Sequence, residues 1–374
     1  MVIKSSILII LFMLMMPIIS HGAADAAEQT DIVDSQIGQY GQTLDDLGIS
    51  DTTKQISSGQ FSLNPMDMLN SFGNMLFGQL KNNMGLIIQL LVLGLITALL
   101  AALQNGFGKA GVSDIAFFAC YAIIAGLTIE VFMGASGDAE GFLKTGGDFI
   151  NKLVPLLIIL LATSGGLISS AVVSPIVMLS TELITYLITN VFLPLSFVVM
   201  TLSIANNLSE KLNINGLIGL IKNIIKWGLG ILLTLFVGII GVYSLFAPTL
   251  DSRAVAIGEY SVKTFVPVVG SILADTVGLV ASCSSVVKSS VGVAGLIGFA
   301  LLALVPMLKL LAQIGAVKLV GSVLEPIVDN RIVRCLNDTS GTLTLILIML
   351  MVVALMFFVN IAIIVKMGGS SGFY

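Results

Sequence analysis

Charge is scarce in this chain, and the shortage bounds the reading. Charged residues make up 10% of 374, apolar residues 56%, and the mean hydropathy is +1.06. So few polar groups cannot cover a water-facing surface, which excludes a soluble globular class. Histidine is almost absent, and the single one, His21, precedes the processing site proposed below. A mature chain without histidine excludes Ser-His-Asp catalysis, histidine general-base chemistry and histidine-ligated metal. The three cysteines, Cys120, Cys283 and Cys335, sit in or beside apolar stretches with no short spacing between them. Neither a disulfide frame nor a zinc knuckle is indicated, and buried apolar packing is the plainer role. No basic stripe is available for phosphate, so nucleic acid is not an expected partner. No G-x-x-x-x-G-K-S/T loop is present, so any energy input comes from another subunit or an ion gradient.

What the chain does have is a series of apolar runs of about 20 residues, the length that crosses a hydrocarbon core of about 30 Å. The expected fold class is all-α, a polytopic integral membrane protein of about eight helices surrounded by lipid. Residues 1–26 read as a signal peptide: Lys4 is the positive start, Ile7 to Ile19 the apolar region, and Ala24-Asp25-Ala26 a small-x-small cleavage site. Residues 27–84 form an extracytoplasmic acidic arm. From Asp25 to Met84, eight acids face only Lys54 and Lys81. At the end of the arm Asn64 and Pro65 start a helix, with Met68, Leu69, Phe72, Met75, Leu76 and Leu80 on one face. That periodicity suits an interfacial helix and a partner-binding helix equally.

Residues 85–133 form a two-helix segment, Gly85 to Gln104 and Asp114 to Met133, joined by a loop containing Lys109 that is expected in the cytoplasm. Residues 134–152, with Asp138, Glu140, Lys144, Asp148 and Lys152, are expected as an outer loop. Two repeat units follow, 150–246 and 262–366, at an offset of 112 residues. Without gaps Val154-Pro155 aligns with Val266-Pro267, Gly166-Leu167 with Gly278-Leu279, and Pro194 with Pro306, and seven of seventeen positions from 154 to 170 match. Three apolar pieces per unit is an odd number, so the second unit is inverted relative to the first. Inversion places the loop 316–340, with Lys318, Arg331 and Arg334, in the cytoplasm as the positive-inside rule prefers. Lys222, Lys226 and Lys366 fit this eight-crossing scheme poorly, because all three then lie at the outer face.

The first piece of each unit carries the candidate site. Pro155 with Thr163-Ser164-Gly165-Gly166 interrupts one, and Pro267, Gly270-Ser271, Asp275-Thr276 and Gly278 interrupt the other. Broken helices at matching positions line polar paths in transporters, while close packing of small residues explains the same pattern structurally. Asp275 is a carboxylate in an apolar segment, with Lys288 as a partner if the chain turns back toward it. Glu182, in Ser180-Thr181-Glu182, is the second such acid, placed either on a path or on a hydrogen bond to a neighbouring helix. Lys309 reads as snorkelling to the interface. No residue set suggests catalysis, a cofactor or a metal, so the chain is not expected to be an enzyme.

From Phe265-Val266-Pro267-Val268-Val269-Gly270-Ser271-Ile272-Leu273-Ala274-Asp275-Thr276-Val277, through Cys283-Ser284 and Lys288 to Val291-Gly292-Val293-Ala294-Gly295-Leu296, the chain resembles the stage III sporulation protein AE family. The order of signal segment, acidic arm and later spans is similar as well. The resemblance implies a protein of the mother-cell membrane around the forespore. There it would act in a channel or secretion-like complex with other stage III sporulation membrane proteins, a cytoplasmic ATPase and a forespore partner, supporting late forespore sigma-factor activity. It carries over no catalytic residues. A stand-alone secondary transporter coupling through Glu182 and Asp275 is the alternative, followed by a structural scaffold and then an intramembrane aspartyl protease built on those two acids.

Overall fold

The computed structural model describes residues 77–107, 110–208, 214–265 and 270–367. The signal segment, the arm up to residue 76 and Pro267 lie outside the described residues. Among those described, the long elements are all helical: α1 Met84–Phe107, α2 Ala110–Thr163, α3 Leu167–Leu187, a π-helical turn Ile188–Phe192, α4 Leu193–Leu208, α5 Asn215–Phe265, α6 Gly270–Leu324 and α7 Asn330–Lys366.

Among the described residues, five stretches are long and apolar enough to cross a membrane: Phe117–Thr163, Leu167–Leu208, Asn215–Tyr243, Ser284–Leu324 and Asn330–Lys366. Met84–Leu99 is a shorter apolar helix. All five exceed the roughly 20 residues that span a hydrocarbon core, so the rods project beyond it.

Contacts fix how the rods run. Lys309 pairs with Asp138, and Leu153 lies against Gly295, so α6 is antiparallel to α2. Gly292 meets Val365 and Gly321 meets Leu336, so α7 is antiparallel to α6. Asn206 bonds Asn215, and Asp251 reaches Ile168 and Ser169, so α5 runs back along α3 and α4. One end of the bundle therefore carries Asp338, Lys222, Asn206, Asn207 and Arg331. The other carries Asp251, Lys288 and Met367.

Local chemistry explains the breaks. After Thr163 the backbone closes with Gly166 N–H on the Leu161 carbonyl at 2.9 Å and Gly165 N–H on the Ala162 carbonyl at 3.2 Å. That pair of bonds is the Schellman ending, and Gly165 supplies its left-handed residue with φ 95°. A Cβ on Gly166 would stand 2.6 Å from Leu161 Cδ1 and 3.0 Å from the Leu161 carbonyl oxygen, so the tight turn takes glycine there too. The π-helical turn ends just before Pro194, whose missing N–H removes one α-helical bond and favours the wider ring. Pro326 ends α6 in the same way, and Asp329 then caps α7 by accepting the Arg331 N–H at 2.8 Å.

Four expectations are corrected. Residues 134–152 are helix, not an outer loop, because Ala135, Ala139, Phe142, Leu143, Phe149, Ile150 and Leu153 recur at helical spacing and are buried. No reversal separates residues 282 and 291, which lie together inside α6. The loop expected over 316–340 shrinks to residues 325–329. A continuous helix cannot turn the chain round, so the described helices lack two of the reversals that eight crossings require. The break at 164–166 is also not repeated, since positions 276–278 lie within α6. These changes flip the expected side of α5, and Lys222 falls at the same end as Arg331 and Arg334.

Candidate functional site

At the Asp338 end, side chains tie three rods together. Asp338 accepts from Asn207 Nδ2 at 2.8 Å and from Lys222 Nζ at 3.4 Å, joining α4, α5 and α7. Asn206 donates to Asn215 Oδ1 and accepts the Ile214 N–H, both at 3.0 Å, and so orders the entry to α5. Tyr121 Oη donates to the Ile204 carbonyl at 2.7 Å, and the Arg331 guanidinium lies 3.8 Å above the Phe117 ring. Burial alone would raise the Asp329 carboxyl, but the Arg331 side-chain and backbone bonds outweigh it and hold the group below its usual value. The linkage therefore stabilises the α7 start above the ordinary carboxylate value and is lost as pH falls through the depressed one. Hydrogen-exchange protection at the first turn of α7, taken relative to the intrinsic rate at each pH, is expected to fall on acidification through that range, and Asp329→Asn is expected to abolish that fall.

At the opposite end the turn at 164–166 leaves the first amides of α3 facing inward. Asp251, on α5 and only 7% exposed, receives them: Ile168 N–H at 2.8 Å and Ser169 N–H at 3.2 Å to Oδ1, with the Ser169 hydroxyl on Oδ2. The carboxylate thus caps a half-helix from another rod and meets the positive end of its dipole. Lys288 is fully buried and donates to the Met367 carbonyl at the end of α7.

Between the ends lie further polar groups. Lys309 Nζ is 2.8 Å from both oxygens of Asp138, so the snorkelling reading is replaced by an ion pair between α6 and α2. Asn360 is fully buried, with its Nδ2 3.5 Å from Thr181 Oγ1 and its Oδ1 without a partner. Most serines and threonines bond carbonyls of their own helix, as Thr128, Ser180, Thr181 and Thr342 do.

The expected site residues are not gathered in one place. Gly165 and Gly166 form the turn, and Pro155 lies inside α2 eight residues before its end. Glu182 is exposed on the outer face of α3, beside Leu179 and Leu183, and lines no interior path. The backbones of Gly270, Asp275 and Gly278 are helical in α6, while the Asp275 side chain, like Pro267, lies outside the described residues. Because α6 is unbroken, residues 275 and 288 are separated by about 20 Å of helical rise, so the chain does not turn back to pair them. The sequence marks neither Asp251 nor Asn360, and it gives no sign that Asp138 and Lys309 pair. Asp251 follows an apolar run and Pro248, and nothing in its own segment points to a helix 83 residues earlier in the chain.

Comparison with known proteins settles the family. The family model described as stage III sporulation protein AE matches residues 47–368. The stage III sporulation protein AE of Bacillus subtilis (strain 168) is 30% identical over 311 residues, covering 83% of this chain and 78% of that protein. The chain belongs to the stage III sporulation protein AE family. No solved structure matches it. Family membership gives it a sporulation-related role, and the apolar rods make this family member a multi-pass membrane protein. Away from the Asp338 end, the charges that join rods fall into two kinds. Asp251 and Lys288 close the backbone ends of other rods, whereas Asp138 and Lys309 pair partway along them.

Proposed function

We propose that this protein is a membrane-embedded subunit of a multiprotein channel or secretion-like complex. On this reading it sits in the mother-cell membrane around the forespore and supports late forespore sigma-factor activity. The observation that carries the reading is the polar platform built by Asp338, Lys222, Asn206, Asn207 and Arg331 where the rods project beyond the hydrocarbon. Its lysines and arginines favour the cytoplasmic side, which offers that end to a cytoplasmic ATPase. The acidic arm, on the other side, meets the remaining stage III proteins and the forespore partner. The stand-alone transporter is less well supported, because Glu182 faces outward and the break at 164–166 is filled by its own backbone bonds.

Purification of the full chain from sporulating cells in mild detergent is expected to bring down other sporulation membrane proteins and an ATPase. The purified chain in liposomes is expected to show no gradient-driven accumulation of solute. Uphill transport by the chain alone, abolished by Asp275→Asn, together with an absence of co-purifying partners, would sink the subunit reading in favour of the transporter.

A further inference from the structure

Glu140, Lys144, Asp148 and Lys152 follow one another at four-residue steps along α2, alternate in sign and are all exposed. Residues four apart lie on one face of a helix, so they form a continuous charged stripe. Among the described residues none of the four has an ion-pair partner within 4.0 Å.

The depth of the stripe follows from its other side. Gly146 lies against Phe357 and Phe299, and the Phe299 ring is 6.2 Å from Phe142, 6.0 Å from Phe149 and 5.8 Å from Phe357. Leu153 lies against Gly295. Phe357 sits within Leu343 to Val365, the apolar run of the most hydrophobic rod, and Phe299 and Gly295 within the apolar run of α6. The stripe is therefore level with the hydrocarbon that these runs require, where an exposed carboxylate or ammonium is expensive unless it meets water or a partner. The polar face also continues toward the Asp338 end. Asp138 and Lys309 pair at 2.8 Å, and Gln313, 8% exposed, has a buried Oε1 without a partner one turn beyond Lys309.

Glycines on the same side add an independent observation. Gly134, Gly137 and Gly141 are exposed, and a Cβ at any of them would meet nothing within 4 Å. Gly146, facing the bundle, would by contrast meet Phe357 at 3.3 Å. Gly137-x-x-x-Gly141 is the spacing that lets two membrane helices approach closely, and no described residue of this chain occupies it. A second copy suits the charges as well. Rotation about the membrane normal puts two copies of α2 at equal depth, where each acid lies diagonally one turn from the neighbour's bases.

We propose that α2 meets α2 of a second copy of this chain at Gly134, Gly137 and Gly141, and that the charged stripe from Glu140 to Lys152, flanking and continuing past that contact, forms one wall of a water-filled path between the two copies. This deepens the channel-subunit reading and rests on it for its biological meaning.

The test uses the purified full chain in lipid vesicles, with Cys120, Cys283 and Cys335 replaced by alanine. Single variants Glu140→Cys, Lys144→Cys, Asp148→Cys and Lys152→Cys are treated with a membrane-impermeant methanethiosulfonate. They are expected to react faster than the lipid-facing control Ile231→Cys by on the order of tenfold, with buried Leu143→Cys unreactive. Mild oxidation of Gly137→Cys or Gly141→Cys is expected to link two copies. Stripe reactivity no greater than that of Ile231→Cys overturns the water path. Reactive stripe cysteines without links between copies overturn self-association and assign the second wall to a different chain. Since the readout needs no sporulating cell, it can fail while partners still co-purify, and the reverse.

Discussion

Asp251→Ala is expected to destabilise the bundle by about 3 kcal/mol, within the range for removing one partner of a buried charged hydrogen-bond set. The carboxylate is 7% exposed and accepts from Ile168 N–H, Ser169 N–H and the Ser169 hydroxyl. Without it the first amides of α3 have no acceptor in a buried site, and the positive end of the helix dipole is left uncompensated. Two controls separate these contributions. Ser169→Ala removes only the hydroxyl donor and should cost about 1 kcal/mol, the usual size of a single net hydrogen bond. Asp251→Asn keeps one acceptor oxygen but no charge and should fall between the two. Reversible unfolding in mixed detergent and denaturant micelles measures all three. A change below about 1 kcal/mol for Asp251→Ala would mean that water at the bundle end replaces the cap, and the account of the turn at 164–166 would fail with it.

Asp251 also shows where the sequence stops being informative. Thr163-Ser164-Gly165-Gly166 is legible as a break because glycine and small polar residues announce a chain reversal locally. The residue that closes the break is 83 positions away, and no local pattern marks it. Hydropathy likewise identified a helical membrane protein, since apolar residues outnumber charged ones along most of the chain. It failed at 134–152, where Glu140, Lys144, Asp148 and Lys152 drew attention and the helical recurrence of Ala135, Ala139, Phe142, Leu143, Phe149 and Ile150 was the stronger signal. Reading that stretch as a loop inserted a reversal and changed the side assigned to α5. The poor fit of Lys222 and Lys226 to the positive-inside rule was the trace of that insertion. With Lys222 bonded to Asp338, Lys222 and Lys226 share one end with Arg331 and Arg334, while Lys366 stays at the other. The second missing reversal, between 282 and 291, has the same origin: Cys283, Ser284, Ser285, Lys288, Ser289 and Ser290 suggest a loop, yet each sits in a continuous helix with Lys288 and Ser290 buried.

Where rods touch, close approach dominates, and Gly292 is its sharpest instance. A Cβ at Gly292 would stand 2.0 Å from Val365 Cγ2, 3.2 Å from its Cβ and 3.3 Å from its Cγ1. A Cβ at Gly295 would stand 2.5 Å from Leu153 Cδ2, with Cδ1 at 3.3 Å and Cγ at 3.5 Å. The two contacts look alike but relax differently. Leu153 can swing its terminal methyls through χ2, whereas Val365 is β-branched, and rotating χ1 brings another methyl toward the same space. Gly292→Ala is therefore expected to cost about 3 kcal/mol by overpacking, partly offset by the roughly 1 kcal/mol that alanine gains over glycine in a helix, for a net loss of about 2 kcal/mol. Gly295→Ala should be close to neutral. Val365→Ala opens the space that Gly292→Ala needs, so the double variant is expected to recover most of the loss, giving a favourable coupling of about 1 to 2 kcal/mol in a mutant cycle. Additive losses in that cycle would show that α6 and α7 do not approach each other at Gly292 and Val365. The antiparallel pairing that sets the depth of the charged face of α2 would then lose one of its anchors.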